Sequence, residues 1–281
     1  MPQQLEIYQS LWAMEQRIPG QTEDSPENHL KTIAKAGYHG ACVDPNVAEI
    51  PESLALAPYF EDLGLKCMVN AFPHSEETLE PLLDMAATLK ATQVNIIAQV
   101  MPRSAAAAAP IIERWLELAK QYPFPVLMET HRNSTLNDLF YTLDVIAQVP
   151  HLRLCADLSH FVVDRELSLP LNDLDQQYFN EIIQRSDSFQ GRISNNQQIQ
   201  IAIEFEQHAP WVAQYLKWWE DGFHAWSKRS TPNDTLRFLV ELGPPPYAIT
   251  NEQQRELSDR WSEGLLIRQW VASLWEKIIQ A

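Results

Sequence analysis

Two short segments of the chain carry residue types suited to acid–base and metal chemistry, in the same order. In PVLMETHR an apolar run ends at Glu129 and is followed by His131. In LRLCADLSH an apolar run ends at Asp157 and is followed by His160. Carboxylates transfer protons and ligate hard divalent cations, and histidines ligate metals or contact substrate oxygens. Either acid alone could be a helix cap, where negative charge is favourable, but the repeat one βα unit later favours a shared site.

Two later segments place further polar side chains after strand-like runs. FQGRIS holds Gln190 and Arg192, and VELGPPPY holds Glu241. If they converge with the first two acids, three carboxylates meet with few cations. A divalent ion such as Mg²⁺ or Mn²⁺ would relieve the repulsion. Arg192 would hold a carboxylate ligand, a phosphate or Asp157 itself. The alternative for His160 is a surface position at a helix terminus. The alternative for His131 is a supporting role beside Glu129, two residues earlier in the chain.

The elements that must position these residues follow from the apolar pattern. Buried parallel strands read as continuous apolar runs rather than alternating ones. Such runs predict strands at residues 5–8, 40–43, 65–69, 93–97, 126–128, 152–156, 189–194 and 236–240. Between them, capping residues and helix-ending glycines predict helices at residues 26–36, 51–63, 76–90, 105–120 and 136–148.

Eight such βα units fill about 250 residues, the usual size of a TIM barrel. The alternative, an open doubly wound sheet, needs an early glycine-rich phosphate turn, which is missing from a chain with 8 glycines. We therefore predict an α/β fold, a single (β/α)8 TIM-barrel domain over residues 1–281. The carboxyl ends of its strands would meet at one face, which brings together Glu129, Asp157, Gln190 and Glu241.

Two longer segments are predicted to add to the barrel. Gln190 and Glu241 lie 51 residues apart, nearly double the 28 between the first two carboxylates, which predicts a helical insertion after strand seven. Its aromatic residues, within 210–228, would pack onto the barrel, or one ring would stack on a sugar. A long amphipathic C-terminal helix at 252–279 would cover the barrel or form the interface of a homodimer.

Composition excludes several classes of function. A formal charge of −16 does not provide the basic surface that nucleic acids or anionic membranes require. No apolar run reaches the ~18 residues of a membrane span, and the first residues do not have the pattern of a signal peptide. The three cysteines lie in apolar runs, as buried thiols do in a reducing compartment. We expect a cytoplasmic protein whose partner is a small molecule.

Three features resemble the xylose isomerase-like TIM-barrel superfamily: Glu129 after strand five, Asp157 with a histidine three residues later, and Glu241 after strand eight. The segments ETHR, ADLSH, APW…WW and VELGPPPY resemble, in order, those of its sugar phosphate isomerase/epimerase group, over nearly the whole chain. The superfamily also includes inosose dehydratase-like enzymes and endonuclease IV. The resemblance implies four metal ligands of types Glu, Asp, His and Glu, at Glu129, Asp157, the Gln190 position and Glu241.

The chain departs from the group's pattern at the third ligand. Gln190 stands two residues before the arginine, where the group often has histidine, and glutamine is a weaker donor to transition metals. No histidine lies between His160 and His208, so His208 would have to swing in from the insertion to replace it. A metal-degenerate barrel that binds a sugar or polyol without turnover is therefore the alternative to an enzyme.

The resemblance implies a metal-dependent isomerase or epimerase that acts on a small hydroxy-carbonyl sugar or polyol. A divalent metal, Mn²⁺ or Mg²⁺ before Zn²⁺, would polarise the carbonyl, and Glu129 and Glu241 would move a proton along an enediolate path. The substrate would be bound by His160, Arg192 and His131. An inosose dehydratase-like lyase stays open because it shares these groups. Endonuclease IV-like DNA repair is excluded by the acidic charge and the shortage of histidine ligands.

Overall fold

Eight parallel strands close into a barrel in the computed structural model, which describes residues 3–15 and 22–280. The strands are β1 (Gln4–Ser10), β2 (Gly40–Val43), β3 (Lys66–Ala71), β4 (Val94–Ile96), β5 (Val126–Glu129), β6 (Leu154–Ala156), β7 (Ser186–Gln190) and β8 (Thr235–Val240). Each strand pairs with its neighbours in the chain, and β8 pairs with β1 to close the barrel. The structure therefore confirms the predicted (β/α)8 barrel.

Helices surround the barrel and begin and end largely where the capping residues predict. They are α1 (Pro26–Lys35), α2 (Ile50–Leu54), α3 (Ala57–Leu63), α4 (Leu79–Thr88), α5 (Ala105–Ala119), α6 (Leu139–Gln148), α7 (Leu158–Asp164), α8 (Asp173–Arg185), α9 (Ala209–Arg229) and α10 (Arg260–Gln280). Ser25 caps α1 by accepting a hydrogen bond from the backbone of Asn28. Gly64 ends α3 with a φ of +64°, which favours glycine. No helix of the described segments is long and apolar enough to cross a membrane.

Several elements differ from the predictions. Strand β7 begins earlier than residue 189, because its buried Ser186 and Ser188 hydroxyls donate to backbone carbonyls and so tolerate burial. The helix predicted at 51–63 is divided into α2 and α3, and α7 and α8 were not identified from the apolar pattern. Helix α10 begins eight residues later than predicted, since an antiparallel bridge between Thr250 and Glu256 occupies the preceding segment.

The two longer segments pack onto the barrel. The segment after β7 runs through an irregular stretch into α9, which buries the aromatic rings of Tyr215, Trp218, Trp219 and Trp226. The Trp219 ring packs edge-on against Phe238 of β8, with centroids 5.0 Å apart. Helix α10 buries one face against α9, β1 and β8, and so covers part of the barrel.

Candidate active site

The carboxyl ends of the last four strands bring four predicted site residues together. Glu129 and Gln190 are the last residues of β5 and β7, and Asp157 and Glu241 directly follow β6 and β8. None of the four is more than 5% exposed. Ligand oxygens of Glu129, Asp157 and Glu241 all lie within 4.8 Å of one another. The barrel thus concentrates three acids in a space from which water is largely excluded.

Gln190 is tied to the first of these acids. Its Nε2 donates a hydrogen bond of 2.6 Å to Glu129 Oε2. Because the amide nitrogen is used in this way, the amide oxygen faces elsewhere. Gln190 Oε1 and Glu129 Oε1 are both buried, and neither has a hydrogen-bond partner in the described part of the chain.

Arg192 neutralises two of the three acids. Its Nε lies 3.1 Å from Asp157 Oδ2, and its Nη2 lies 2.5 Å from Glu241 Oε2. The guanidinium is 1% exposed, and its Nη1 has no partner among the described residues. A contact with Asp157 was one of the three alternatives for Arg192, and the bridge to Glu241 adds a second anchor.

Asp157 fulfils both interpretations that its sequence allowed. It is the N-cap of α7, where its Oδ1 accepts hydrogen bonds from the backbone and the hydroxyl of Ser159. Its Oδ2 faces the cluster and Arg192. Glu129 caps no helix, because Asp138 caps α6. The helix-cap alternative therefore holds for one of the two acids and does not exclude a site there.

The two predicted histidines lie beside the cluster and against each other. The ring centroids of His131 and His160 are 4.0 Å apart. His160 is buried, and its Nε2 is 3.3 Å from Asp157 Oδ2 without hydrogen-bond geometry. Burial lowers the pKa of His160 despite the opposing charge of Asp157. His131 borders the cavity, whereas His208 is absent from the described acid cluster and bonds the carbonyl of Ala202.

Burial sets different proton affinities within the cluster. Burial, helped by the charges of Glu241 and Asp157, raises the pKa of Glu129 well above its usual range. Burial also raises the pKa of Glu241, although Arg192 opposes the shift. Burial acts in the same direction on Asp157, but His160 and Arg192 outweigh it and lower the pKa. Two glutamates with raised pKa values beside an aspartate with a lowered pKa are suited to acid–base catalysis.

A cavity of about 560 Å³ adjoins this cluster and reaches residues that the sequence analysis did not select. Its lining combines aromatic rings with polar and acidic side chains: Trp12, Asp44, Asn46, Glu49, Phe72, His74, Ile97, Gln99, His131, Arg192, Glu241 and Tyr247. A volume of this size accommodates a small metabolite.

Asp44 is held at the cavity by a row of three buried amides, here called the amide relay: Gln93, Asn95 and Asn70. Gln93 Nε2 donates to Asn95 Oδ1 over 2.8 Å, and Asn95 Nδ2 donates to Asn70 Oδ1 over 2.9 Å. Asn70 Nδ2 then donates to Asp44 Oδ1 over 2.8 Å. The sequence signal for Asn70 and Asn95 is their position inside the apolar runs MVNA and VNII, because buried strands rarely contain polar amides.

Two aromatic rings pack against Arg192. The guanidinium carbon lies 4.9 Å from the ring centroid of Tyr247 and 5.8 Å from that of Trp12, and the two rings pack edge to face. Gly243 permits this arrangement, because a Cβ there would lie 2.3 Å from the Trp12 ring. The side-chain amide of Gln200 bonds both the N–H and the carbonyl of Gly243. These contacts fix Arg192 at the cavity wall.

The donor set fits a hard divalent cation. Three carboxylates lie within 4.8 Å of one another, and two buried oxygens, on Glu129 and Gln190, lack partners among the described residues. Such unpaired buried acceptors are costly unless a ligand or ion satisfies them. All four residues offer oxygen, which suits Mg²⁺ or Mn²⁺ better than Zn²⁺.

Several solved structures have a fold similar to that of this chain. No protein-family model matches the sequence, and no curated protein matches it. An L-ribulose 3-epimerase structure is similar, with a TM-score of 0.63 and 13% identity over 98% of this chain and 96% of the other. A xylose isomerase domain protein from Planctomyces limnophilus has a TM-score of 0.58 and 11% identity over 100% of both chains.

A third similar structure comes from a protein with another described reaction. It is a probable 3-DHS dehydratase from Bacillus anthracis, with a TM-score of 0.54 and 14% identity over 84% of this chain and 92% of the other. At these identities the similarity concerns the fold. The chain has the TIM-barrel fold that the sequence predicted, and that fold is similar to those of an L-ribulose 3-epimerase and a xylose isomerase domain protein.

Proposed function

We propose that this protein is a divalent-metal-dependent isomerase or epimerase acting on a small hydroxy-carbonyl sugar or polyol. The observation that carries the proposal is the buried pair Glu129 and Glu241. Both have raised pKa values and lie in one cluster with the ionised Asp157 at a cavity. Similar folds in an L-ribulose 3-epimerase and a xylose isomerase domain protein support this class of reaction.

Each residue has a role that follows from its contacts. One of Glu129 and Glu241 removes the proton from the carbon beside the carbonyl, and the other returns a proton, so that an enediolate forms and collapses. Gln190 orients Glu129 by its 2.6 Å hydrogen bond. The unpartnered Nη1 of Arg192 and one ring N–H of His160 donate to substrate oxygens, and His131 contacts the substrate from the cavity wall.

A divalent ion would be held by Glu129, Asp157, Gln190 and Glu241. When bound it supplies a Lewis acid that polarises the carbonyl, which makes the neighbouring carbon more acidic. The oxygen-only donor set favours Mn²⁺ or Mg²⁺.

A second candidate is a barrel that binds a sugar or polyol without turning it over. The observation that favours it is Arg192, whose guanidinium already bridges Asp157 and Glu241 and so satisfies two of the three acids without an ion. An inosose dehydratase-like lyase would use the same acid–base groups and differ only in the bond that breaks. Loss of water from the substrate is therefore measured together with isomerisation, to distinguish the two reactions.

The test measures proton exchange separately from turnover. Purified protein is incubated with Mn²⁺ and a panel of ketoses in deuterium oxide, and deuterium incorporation is followed by NMR. We expect exchange in at least one sugar and thermal stabilisation by Mn²⁺. Glu129→Gln should lower exchange by more than about 10³-fold while changing ligand affinity less than tenfold. Glu117→Gln, a 73% exposed side chain, is the control. Sugar binding without any exchange would support the binding module instead.

We propose a cytoplasmic location for the protein. The three cysteines, Cys42, Cys67 and Cys155, are buried and free, which is consistent with the proposed cytoplasmic location. A homodimer through α10 remains a proposal, and sedimentation of the purified protein tests it.

A further inference from the structure

Asp44 lies at the cavity with one oxygen fixed and the other free. Asn70, the last amide of the relay, donates to Asp44 Oδ1. Asp44 Oδ2 is shielded from water and has no hydrogen-bond partner in the described segments. A carboxyl oxygen left unpaired in such a place is costly, unless a ligand supplies the missing hydrogen bond.

The amide relay makes Asp44 a rigid contact rather than a mobile one. Asn70 and Asn95 are fully buried and Gln93 is 1% exposed, so their orientations are set by each other. Each amide nitrogen donates to the next oxygen in one direction, and the row ends at Asp44. Buried polar rows of this kind are retained only when each member is satisfied. Here the last acceptor belongs to a residue that lines the cavity.

The charge of the cavity indicates the class of ligand. Its lining includes the carboxylates of Asp44, Glu49 and Glu241. Arg192 is the one lysine or arginine among the described lining residues, and two of its nitrogens already bind carboxylates. A phosphate or carboxylate group would therefore meet three acidic side chains, with only the Nη1 nitrogen of Arg192 left unpaired to hold it. Hydroxyl groups suit the polar wall, and the rings of Trp12 and Tyr247 suit the apolar face of a sugar.

We propose that Asp44 is a specificity-determining residue that hydrogen-bonds a hydroxyl group of a free, uncharged sugar or polyol. Asp44 directly follows strand β2, which lies across the barrel from β6, so the contacted hydroxyl is on the side of the substrate opposite Asp157, whichever carbons Glu129 and Glu241 act on. The inference rests on the proposed function for the identity of those carbons. The affinity that Asp44 provides does not depend on turnover.

The experiment is a calorimetric measurement of dissociation constants with Mn²⁺ present. The probes are free ketopentoses and ketohexoses, their terminal phosphate esters, and analogues that lack one hydroxyl. We expect the unmodified protein to bind a free sugar at least tenfold more tightly than its phosphate. Asp44→Ala should weaken binding of that sugar 10- to 100-fold, the range for a hydrogen bond to a buried charged or polar group. One deoxy analogue should bind both proteins equally, because it lacks the hydroxyl that Asp44 contacts.

Two further variants separate direct contact from other effects. Asn70→Ala keeps Asp44 but removes its donor, and should weaken binding by less than Asp44→Ala does. Glu49→Gln removes a charge from the same cavity at an exposed side chain. If Glu49→Gln acts as strongly as Asp44→Ala, general charge explains the effect and the assignment is overturned. Thermal unfolding of each variant checks that it folds.

The outcomes distinguish this inference from the proposed function. Binding that depends on Asp44, without deuterium exchange in any sugar, supports the inference and contradicts the isomerase. Exchange that continues unchanged in Asp44→Ala, with unchanged affinity, overturns the inference alone. Tighter binding of phosphate esters overturns it as well. No binding of any sugar at millimolar concentration overturns both.

Discussion

Gln190 donates its amide hydrogen to Glu129 Oε2 over 2.6 Å, and its own carbonyl oxygen is left without a partner among the described residues. One side chain thus orients a proposed acid–base group and offers an oxygen to a cation. An imidazole at this position would offer a nitrogen instead, which binds transition metals more strongly. The identity of this residue should therefore govern which metals the site prefers.

Gln190→His should shift metal preference towards transition metals. We expect affinity for Mn²⁺ and Zn²⁺ to rise at least about tenfold relative to Mg²⁺, because a nitrogen ligand joins three carboxylates. Metal titration followed by calorimetry measures the change. Gln197→His adds a histidine at an exposed position of the same segment and is the control. An equal gain in both variants would mean that the histidine acts outside the cluster.

Arg192→Met should destabilise the protein and increase its dependence on metal. It leaves Asp157 and Glu241 buried without their cation, which typically costs about 3–5 kcal/mol. Added Mn²⁺ should recover more stability in this variant than in the unmodified protein, since an ion then replaces the guanidinium charge. Denaturant unfolding with and without Mn²⁺ measures both effects, and the exposed Arg103→Met is the control. A variant that loses stability but gains nothing from Mn²⁺ would count against a metal site.

Glu263 should make stability fall between about pH 4.5 and pH 7. Burial raises the pKa of Glu263 to about 7, while its Oε1 accepts a hydrogen bond from the backbone of Ile203. The folded state binds more protons than the unfolded state in that window, so the free energy of unfolding decreases as pH rises and levels off above it.

Glu263→Gln should remove this decrease and stabilise the protein at pH 8 by about 1–2 kcal/mol. Urea unfolding at pH 5 and pH 8 measures the effect. The exposed Glu276→Gln on the same helix should leave the profile as it is. An unchanged slope in Glu263→Gln would show that other groups cause the pH dependence.

Gly222→Ala should destabilise the barrel although alanine is the better helix former. A Cβ at Gly222 would lie 2.4 Å from Cζ of Phe189, the residue before Gln190. The helix gains about 1 kcal/mol from alanine, but overpacking typically costs about 1–3 kcal/mol. Gly264→Ala is the matched control, because a Cβ there would lie 3.3 Å from its nearest neighbour, Cγ1 of Val240. Thermal unfolding of the two variants should show the larger loss at Gly222.

The sequence allowed the barrel and the acid cluster to be predicted for one physical reason. A buried strand ends where its apolar run ends, so Glu129, Asp157 and Glu241 could be placed at strand ends before their distances were known. Strand β7 was shifted because Ser186 and Ser188 are buried as polar residues that bond the backbone. Ser186 bonds the carbonyl of Ile182 at the end of α8 and Ser188 bonds that of Arg237 on β8, and a local apolar pattern contains neither contact.

The part of the cavity wall beyond His131, Arg192 and Glu241 was not predicted, for a similar reason. Asp44 follows a predicted strand at the start of a turn, Asn70 directly follows the strand predicted at 65–69, and Asn95 lies inside the strand predicted at 93–97. The hydrogen bonds that join these residues run across three strands, so they form only when the barrel brings those strands side by side. Trp12 and Tyr247 are separated by most of the chain, and the barrel's closure between β1 and β8 brings them together.

The amide relay also has a consequence for how the barrel assembles. Asn70 and Asn95 are directly paired across β3 and β4. Strands that are apolar on both faces can slide past each other and still bury apolar surface. A slip of β4 against β3 would separate the two amides and leave buried groups unpaired, at about 1–3 kcal/mol each. The amide relay that holds Asp44 therefore also favours the native register of β3 and β4 over misaligned pairings during folding.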